Sequence, residues 1–144
     1  MKEIHVIKRS GEKTPLDLDK IHAMAEHACR GLAGVSESQV EMNANLQFFD
    51  GIKTSDIQEI LIRSANDLIS LESPNYQFVA ARLLLFSLRK AVYNGHPDGH
   101  PPLLEHVKKC VDLGVYDDGI LSKYSEEEWE KLNSFMDHDR DYLF

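Results

Sequence analysis

The chain has 144 residues, of which 42% are hydrophobic and 28% charged, with a formal net charge of −8. That length suits one small domain with an appendage. An acidic balance argues against nucleic acid as the main partner, because phosphate contacts need a basic stripe. No run approaches the roughly 18 apolar residues of a membrane span, and the apolar stretch after Met1-Lys2-Glu3 is too short for a signal peptide, so a cytoplasmic protein is expected. Cys29 and Cys110 form no CxxC pair and sit in helical patterns, where they read as buried free thiols. Charge is uneven along the chain. Residues 1–94 carry 11 basic and 12 acidic side chains and residues 95–144 carry 5 and 12, so the first part can host a local anion site.

In chain order, Val6-Ile7 and Thr14-Pro15-Leu16 read as short strands joined at Ser10-Gly11-Glu12-Lys13, with glycine supplying the positive φ of the turn. Asp17 is placed to cap the helix that follows. Lys8, Arg9, Lys13 and Lys20 gather positive charge on the hairpin and helix start, a plausible polyphosphate cradle; the plainer reading is a solvated basic hairpin. Strand alternation would send Lys8 and Arg9 to opposite faces unless the strand end twists. Ile21, Met24, Ala25, Ala28, Cys29 and Leu32 then mark one helical face, stopped at Gly31 or Gly34. Ser36 and Gln39 predict a capping box, with Val35 and Val40 as its staple, on a helix running to about Phe49. The third helix opens at Thr54 or Ser55, either hydroxyl serving as cap, and carries Ile57, Ile60, Leu61, Ala65 and Leu68. Ser73-Pro74 opens a fourth, which continues to about Tyr93; it is apolar on most faces from Val79 to Leu88 and is expected at the centre of the bundle.

Residues 94–102, NGHPDGHPP, read as a linker. Beyond it Leu103, Leu104, Val107 and Val111 predict a helix ending at Gly114. Ser125 and Glu128 form a second capping box, ahead of a stripe made by Trp129, Leu132 and Met136. This tail looks too small to bury those side chains alone. His96 and His100 are four apart, but the prolines and glycines between them exclude the helix that would align two imidazoles on a metal, and no metal site is expected. Asp137-His138-Asp139-Arg140-Asp141 reads as a salt-bridged turn. No Walker A pattern is present, and spacing assembles no Cys–His or Ser–His–Asp arrangement, so no catalytic residue is nominated.

Taken together, VIKRSGEKTPLDLDKI at 6–21, FFDGIKTSDI at 48–57, PNYQFVAARLLLFSLRKAVY at 74–93 and YSEEEWEKLNSFMDHDRDYLF at the end resemble an ATP-cone, the nucleotide-sensing module at the N-terminus of the large subunit of class I aerobic ribonucleotide reductases. The resemblance covers essentially the whole chain. It implies a mainly α fold: a small β-hairpin capping a four-helix cone over residues 1–94, a linker at 95–102, and a helical extension at 103–144 that leads towards a catalytic barrel this chain does not contain. It implies an adenine-nucleotide site formed by Val6, Lys8, Arg9, Thr14, Asp17, Lys20, Ile21, Thr54, Ile57, Gln58, Phe86 and Lys90. In that picture the cations neutralise phosphates, Thr54 donates to phosphate or sugar, and Val6, Ile21, Ile57 and Phe86 sandwich the base. Gln58 is expected at the rim, one turn above Thr54.

The ligand implied is ATP or dATP with Mg²⁺, bound allosterically rather than as a tight cofactor. The partners implied are the rest of the large subunit, its homo-oligomer and the radical-bearing small subunit of an enzyme that makes deoxyribonucleotides. Familiar bacterial members carry Glu, Asn and His where this chain has Thr14, Asp17 and Gln58. A cone that has lost its ligand and serves only as a helical interaction module is therefore the alternative. A transcriptional repressor built on the same cone would need a four-cysteine zinc ribbon, which two separated cysteines cannot make.

Overall fold

A computed structural model describes residues 4–93 and 99–143 of the chain, with side chains up to Asp141. Among them are three short strands and seven α-helices: β1 (His5–Ile7), β2 (Lys13–Pro15), α1 (Leu18–Cys29), α2 (Glu37–Asn45), β3 (Ile52–Lys53), α3 (Thr54–Asp67), α4 (Tyr76–Val92), α5 (Leu103–Asp112), α6 (Gly119–Ser122) and α7 (Glu126–Ser134). A 3₁₀ helix, His138–Leu143, follows. The fold is mainly α with a small sheet at its N-terminus. The chain divides into two compact units, Met1–Leu88 and Arg89–Phe144, so the division falls inside α4, earlier than the proline-rich linker. Residues 94–98 of that linker, His96 included, lie outside the described residues.

The first unit begins with the expected hairpin. Lys8 N–H donates to Glu12 O and Gly11 N–H to Lys8 O, both at 2.9 Å, and Gly11 takes φ +85°. Such a short loop closes with a left-handed residue, which glycine adopts without a Cβ clash. The sequence reading missed β3. Ile52 and Lys53 lie parallel to β1, opposite Val6 and Ile7, so the sheet order is β2-β1-β3. That pairing also explains why α2 ends at Asn45 and not near Phe49. The chain must leave the helix to reach the sheet, where Gly51 N–H donates to His5 O at 2.8 Å and His5 N–H donates to Asp50 Oδ1 at 2.8 Å.

Two helix starts differ from expectation for the same reason, a distant partner. Ser36 makes no side-chain capping bond. Its N–H instead donates to the Tyr76 hydroxyl at 3.0 Å, and that hydroxyl donates to Gln39 Oε1 at 2.7 Å. At α3 the residue before the helix is Lys53, the end of β3, and neither Thr54 nor Ser55 caps it. Asp17 does cap α1, its Oδ1 accepting from Lys20 N–H at 3.2 Å. The far end of α1 is held from α4: Arg82 Nη1 donates to Ala28 O at 3.0 Å and to Arg30 O at 2.7 Å, satisfying carbonyls that a helix terminus leaves open.

The core of this unit contains Val6, Ile21, Ala28, Val40, Ile52, Ile57, Leu61, Tyr76, Val79 and Leu83. From α4 only Tyr76, Val79 and Leu83 are buried, whereas Leu84 and Leu88 are 57% and 55% exposed. The helix therefore contributes one stripe and is not wrapped on all sides. On α3 the buried stripe includes the polar Gln58 and Ser64 beside Ile57, Leu61 and Ala65.

The second unit has its own small core, in which Val107 of α5 and Trp129 of α7 are buried. Leu132 and Met136, expected beside Trp129, are exposed. The Ser125–Glu128 capping box forms in both directions, at 3.3 Å and 2.8 Å. Gly114, at φ +71°, ends α5 in a Schellman turn, with Val115 N–H on Cys110 O at 2.8 Å and Gly114 N–H on Val111 O at 2.9 Å.

Candidate functional site

The hairpin tip is where positive charge collects. β1 ends at Ile7, so Lys8 and Arg9 belong to the turn and not to a pleated strand. Strand alternation therefore does not by itself fix which way their side chains face. Lys8 Nζ lies 3.1 Å from Glu12 Oε2, and Lys13 Nζ lies 3.6 Å from Asp50 Oδ2. Lys20, on the first turn of α1, is 80% exposed and lies 3.2 Å from the outer oxygen of its own cap, Asp17. Exposed pairs of this kind contribute little to stability, typically 0–1 kcal/mol, so an incoming polyanion can displace the carboxylates at small cost.

Register connects this tip to α3. Thr14 faces Val6 across the antiparallel pair, and Lys53 faces Ile7 across the parallel one. The next residue on each strand is Thr54 and Lys8, so the opening turn of α3 is carried up beside the basic loop. That helix has 14 residues and no side-chain capping bond from Lys53. Its first N–H groups, with the positive end of the helix dipole, suit an anion.

The apolar residues of the expected site belong to the core of the first unit. Val6, Ile21 and Ile57 belong to one buried cluster, and Phe86 packs against it from α4 with its ring 5.3 Å from that of His27. Gln58 stands among them, not at the rim: it is only 6% exposed, and its Nε2 has no hydrogen-bond partner among the described residues. A buried amide N–H without an acceptor is costly, by about 1–3 kcal/mol, and such an atom marks a place where a ligand can contribute. Sequence periodicity gave no sign of it, because a glutamine on a helix is ordinarily solvated.

Val6, Lys8, Arg9, Thr14, Asp17, Lys20, Ile21, Thr54, Ile57, Gln58 and Phe86 all belong to the first unit. Lys90, on the last turn of α4, falls in the second unit. Hydrogen bonding holds the Asp17 carboxyl below the usual carboxylate range, through the Lys20 backbone first and the Lys20 side chain second. It is therefore an anion at the edge of a basic site. Three polar residues of the 74–93 stretch are structural: Asn75 Nδ2 donates to Ala33 O at 2.8 Å, and Tyr76 and Arg82 fix the segment between α1 and α2.

The ATP cone domain family model matches residues 4–91. The chain is also similar to the ribonucleoside-diphosphate reductase 1 subunit alpha of Escherichia coli (strain K12), 49% identical over 96% of this chain and 18% of that protein. It is similar to the ribonucleoside-diphosphate reductase subunit alpha of Haemophilus influenzae, 49% identical over 99% of this chain and 19% of that one. The subunit alpha of Enterobacteria phage T4 is 41% identical over 100% of this chain and 19% of its own length. The chain spans under a fifth of the relatives it matches.

Proposed function

The chain belongs to the ATP-cone family, matched over residues 4–91, and on that premise we propose that its first unit binds ATP or dATP with Mg²⁺ as an allosteric signal. The observation that carries this reading is the register that sets the basic hairpin tip beside the start of α3, with Val6, Ile21 and Ile57 in the core cluster of the same unit. Lys8, Arg9 and Lys20 neutralise the phosphates, and Thr54 with the opening N–H groups of α3 donates to them. Lys90 is the further cation expected from the family resemblance. Val6, Ile21, Ile57 and Phe86 offer the base an apolar bed, Gln58 supplies a buried amide, and Thr14 and Asp17 flank the phosphate end.

The wider role follows from the relatives. We infer that the chain regulates a ribonucleotide reductase large subunit, which joins a radical-bearing small subunit in a larger assembly, and that nucleotide exchange in the cone sets overall activity. In this chain the cone does no chemistry; the hydrogen-bond and charge changes at its ligand are the signal. Calorimetric titration of the chain with Mg²⁺–ATP and Mg²⁺–dATP tests the binding step. One nucleotide per chain, competed by the other, is the expected result. Absence of binding for both would make this a cone that has lost its ligand and serves as a helical module.

A further inference from the structure

His100 precedes α5, whereas His138 and Asp141 lie on the 3₁₀ helix 38 and 41 residues later. The second unit folds these three together. His138 Nδ1 is 3.2 Å from Asp141 Oδ2, and His100 Nε2 is 3.8 Å from the same oxygen. One ligand atom from each residue lies within 4.8 Å of the other two. We propose that His100, His138 and Asp141 form a binding site for a divalent ion of the zinc class.

The donor set decides the class of ion. Two imidazoles and one carboxylate suit zinc and its first-row neighbours, whereas Mg²⁺ and Ca²⁺ demand oxygen ligands. In a tetrahedral zinc site, bonds of about 2.0–2.2 Å put ligand atoms roughly 3.4 Å apart, so the three ligand atoms, now within 4.8 Å of one another, must close up as an imidazole reorients. Residues i and i+3 of a 3₁₀ helix eclipse one another, which aligns His138 with Asp141. A cavity of about 40 Å³, lined by Tyr93, His106, Met136 and both histidines, adjoins the triad and has room for a water as fourth ligand.

Two features limit the affinity and shape the test. The His100 and His138 rings are stacked, centroids 3.7 Å apart and planes within 5°. One ion cannot lie in both ring planes of such a stack, so binding must swing one ring out; His138, whose side chain is 37% exposed against 15% for His100, is the freer. Arg89 Nη2 also faces Asp141 Oδ2, at 3.9 Å. Its charge opposes the ion, and it must move to the second carboxylate oxygen.

The test is titration of the chelator-treated 144-residue chain, without nucleotide, by Zn²⁺ in calorimetry and by Co²⁺ in visible absorption. Expected are one ion per chain, the spectrum of four-coordinate cobalt, loss of the stacked-ring shifts of both histidines in NMR, and no displacement by excess Mg²⁺. His100→Ala and His138→Ala should each weaken binding at least tenfold, as should Asp141→Asn, while His22→Ala in the first unit leaves it unchanged. If a histidine variant loses its helical circular dichroism, Asp141→Asn decides, since it keeps the side chain's size. No zinc binding by the wild-type chain, or unchanged affinity in Asp141→Asn, overturns the proposal.

Discussion

The Tyr76 hydroxyl donates to Gln39 Oε1 at 2.7 Å across 37 residues of sequence, and the hydroxyl's own oxygen accepts the N–H of Ser36 at 3.0 Å. The phenol of α4 therefore takes the N-cap N–H that the glutamine side chain of a capping box would accept, and bridges it to that glutamine. Tyr76 is also buried in the core, so its ring and its hydroxyl tie two helices at one point. Tyr76→Phe keeps the ring and strips both bonds, leaving a partly buried N–H and an amide oxygen without their partner. The expected loss is about 1–3 kcal/mol in chemical denaturation. A loss under about 0.3 kcal/mol would mean that water replaces the hydroxyl.

Lys20 separates binding from stability. It is highly exposed and, among the described residues, its ion pair is with its own cap, so Lys20→Ala should leave the melting temperature close to that of the wild type. Nucleotide affinity should fall by about 1.5–3 kcal/mol, the range for a charged hydrogen bond, or roughly 10- to 150-fold. Equal affinities in calorimetry would remove Lys20 from the site.

Gln58 should behave in the opposite sense. Its Nε2 is buried with no partner among the described residues, so Gln58→Leu relieves a desolvated donor and should leave the free chain as stable or more stable. The same change should weaken ATP binding by about 0.5–1.5 kcal/mol, one hydrogen bond. Where familiar cones carry histidine, glutamine can donate and accept but never gains charge. The wild type should therefore distinguish ATP from dATP by no more than about tenfold, and Gln58→His should change that ratio. An unchanged ratio would take Gln58 out of the discrimination.

A pH effect is expected at His22, whose Nδ1 lies 2.7 Å from Glu41 Oε1 between α1 and α2. The Glu41 hydrogen bond first, and its charge second, raise the imidazole above its ordinary 6.5. The sign follows: the folded form binds this proton more tightly, so the contribution to stability is complete below about 6.5 and disappears as pH rises through the raised value. NMR titration should place the His22 midpoint above 6.5 and Glu41→Gln should bring it back down. A midpoint that ignores Glu41→Gln would contradict the pairing.

The two thiols should differ in reactivity. Cys29 is buried in the first unit and desolvation is the main cause pushing its thiol up to about 11, leaving almost no thiolate at neutral pH. Cys110 is partly exposed, with Sγ 3.6 Å from His106 Nε2. A disulfide reagent should label Cys110 first and reach Cys29 only on unfolding. Equal rates in the native chain would show that the first core opens readily.

Much of this chain was legible because its signals are local. Gly11 at the hairpin, Asp17 before α1, Gly114 after α5 and the Ser125–Glu128 box each act within four residues of themselves, and a sequence displays such neighbours directly. Apolar periodicity placed the helices for the same reason. The run of cations Lys8, Arg9, Lys13 and Lys20 was visible too, since it lies within 13 residues of sequence. What required the tertiary structure were partnerships between distant segments. β3 is two residues long and exists only because β1 lies beside it; its arrival ends α2 early and leaves α3 to start from a strand. The Ser36 box is replaced by a phenol 40 residues away, the burial of Gln58 depends on which side of α3 meets the core, and His100 meets His138 and Asp141 only once the second unit has closed. Propensity acts on a residue and its neighbours, whereas these contacts depend on which backbones the fold brings together.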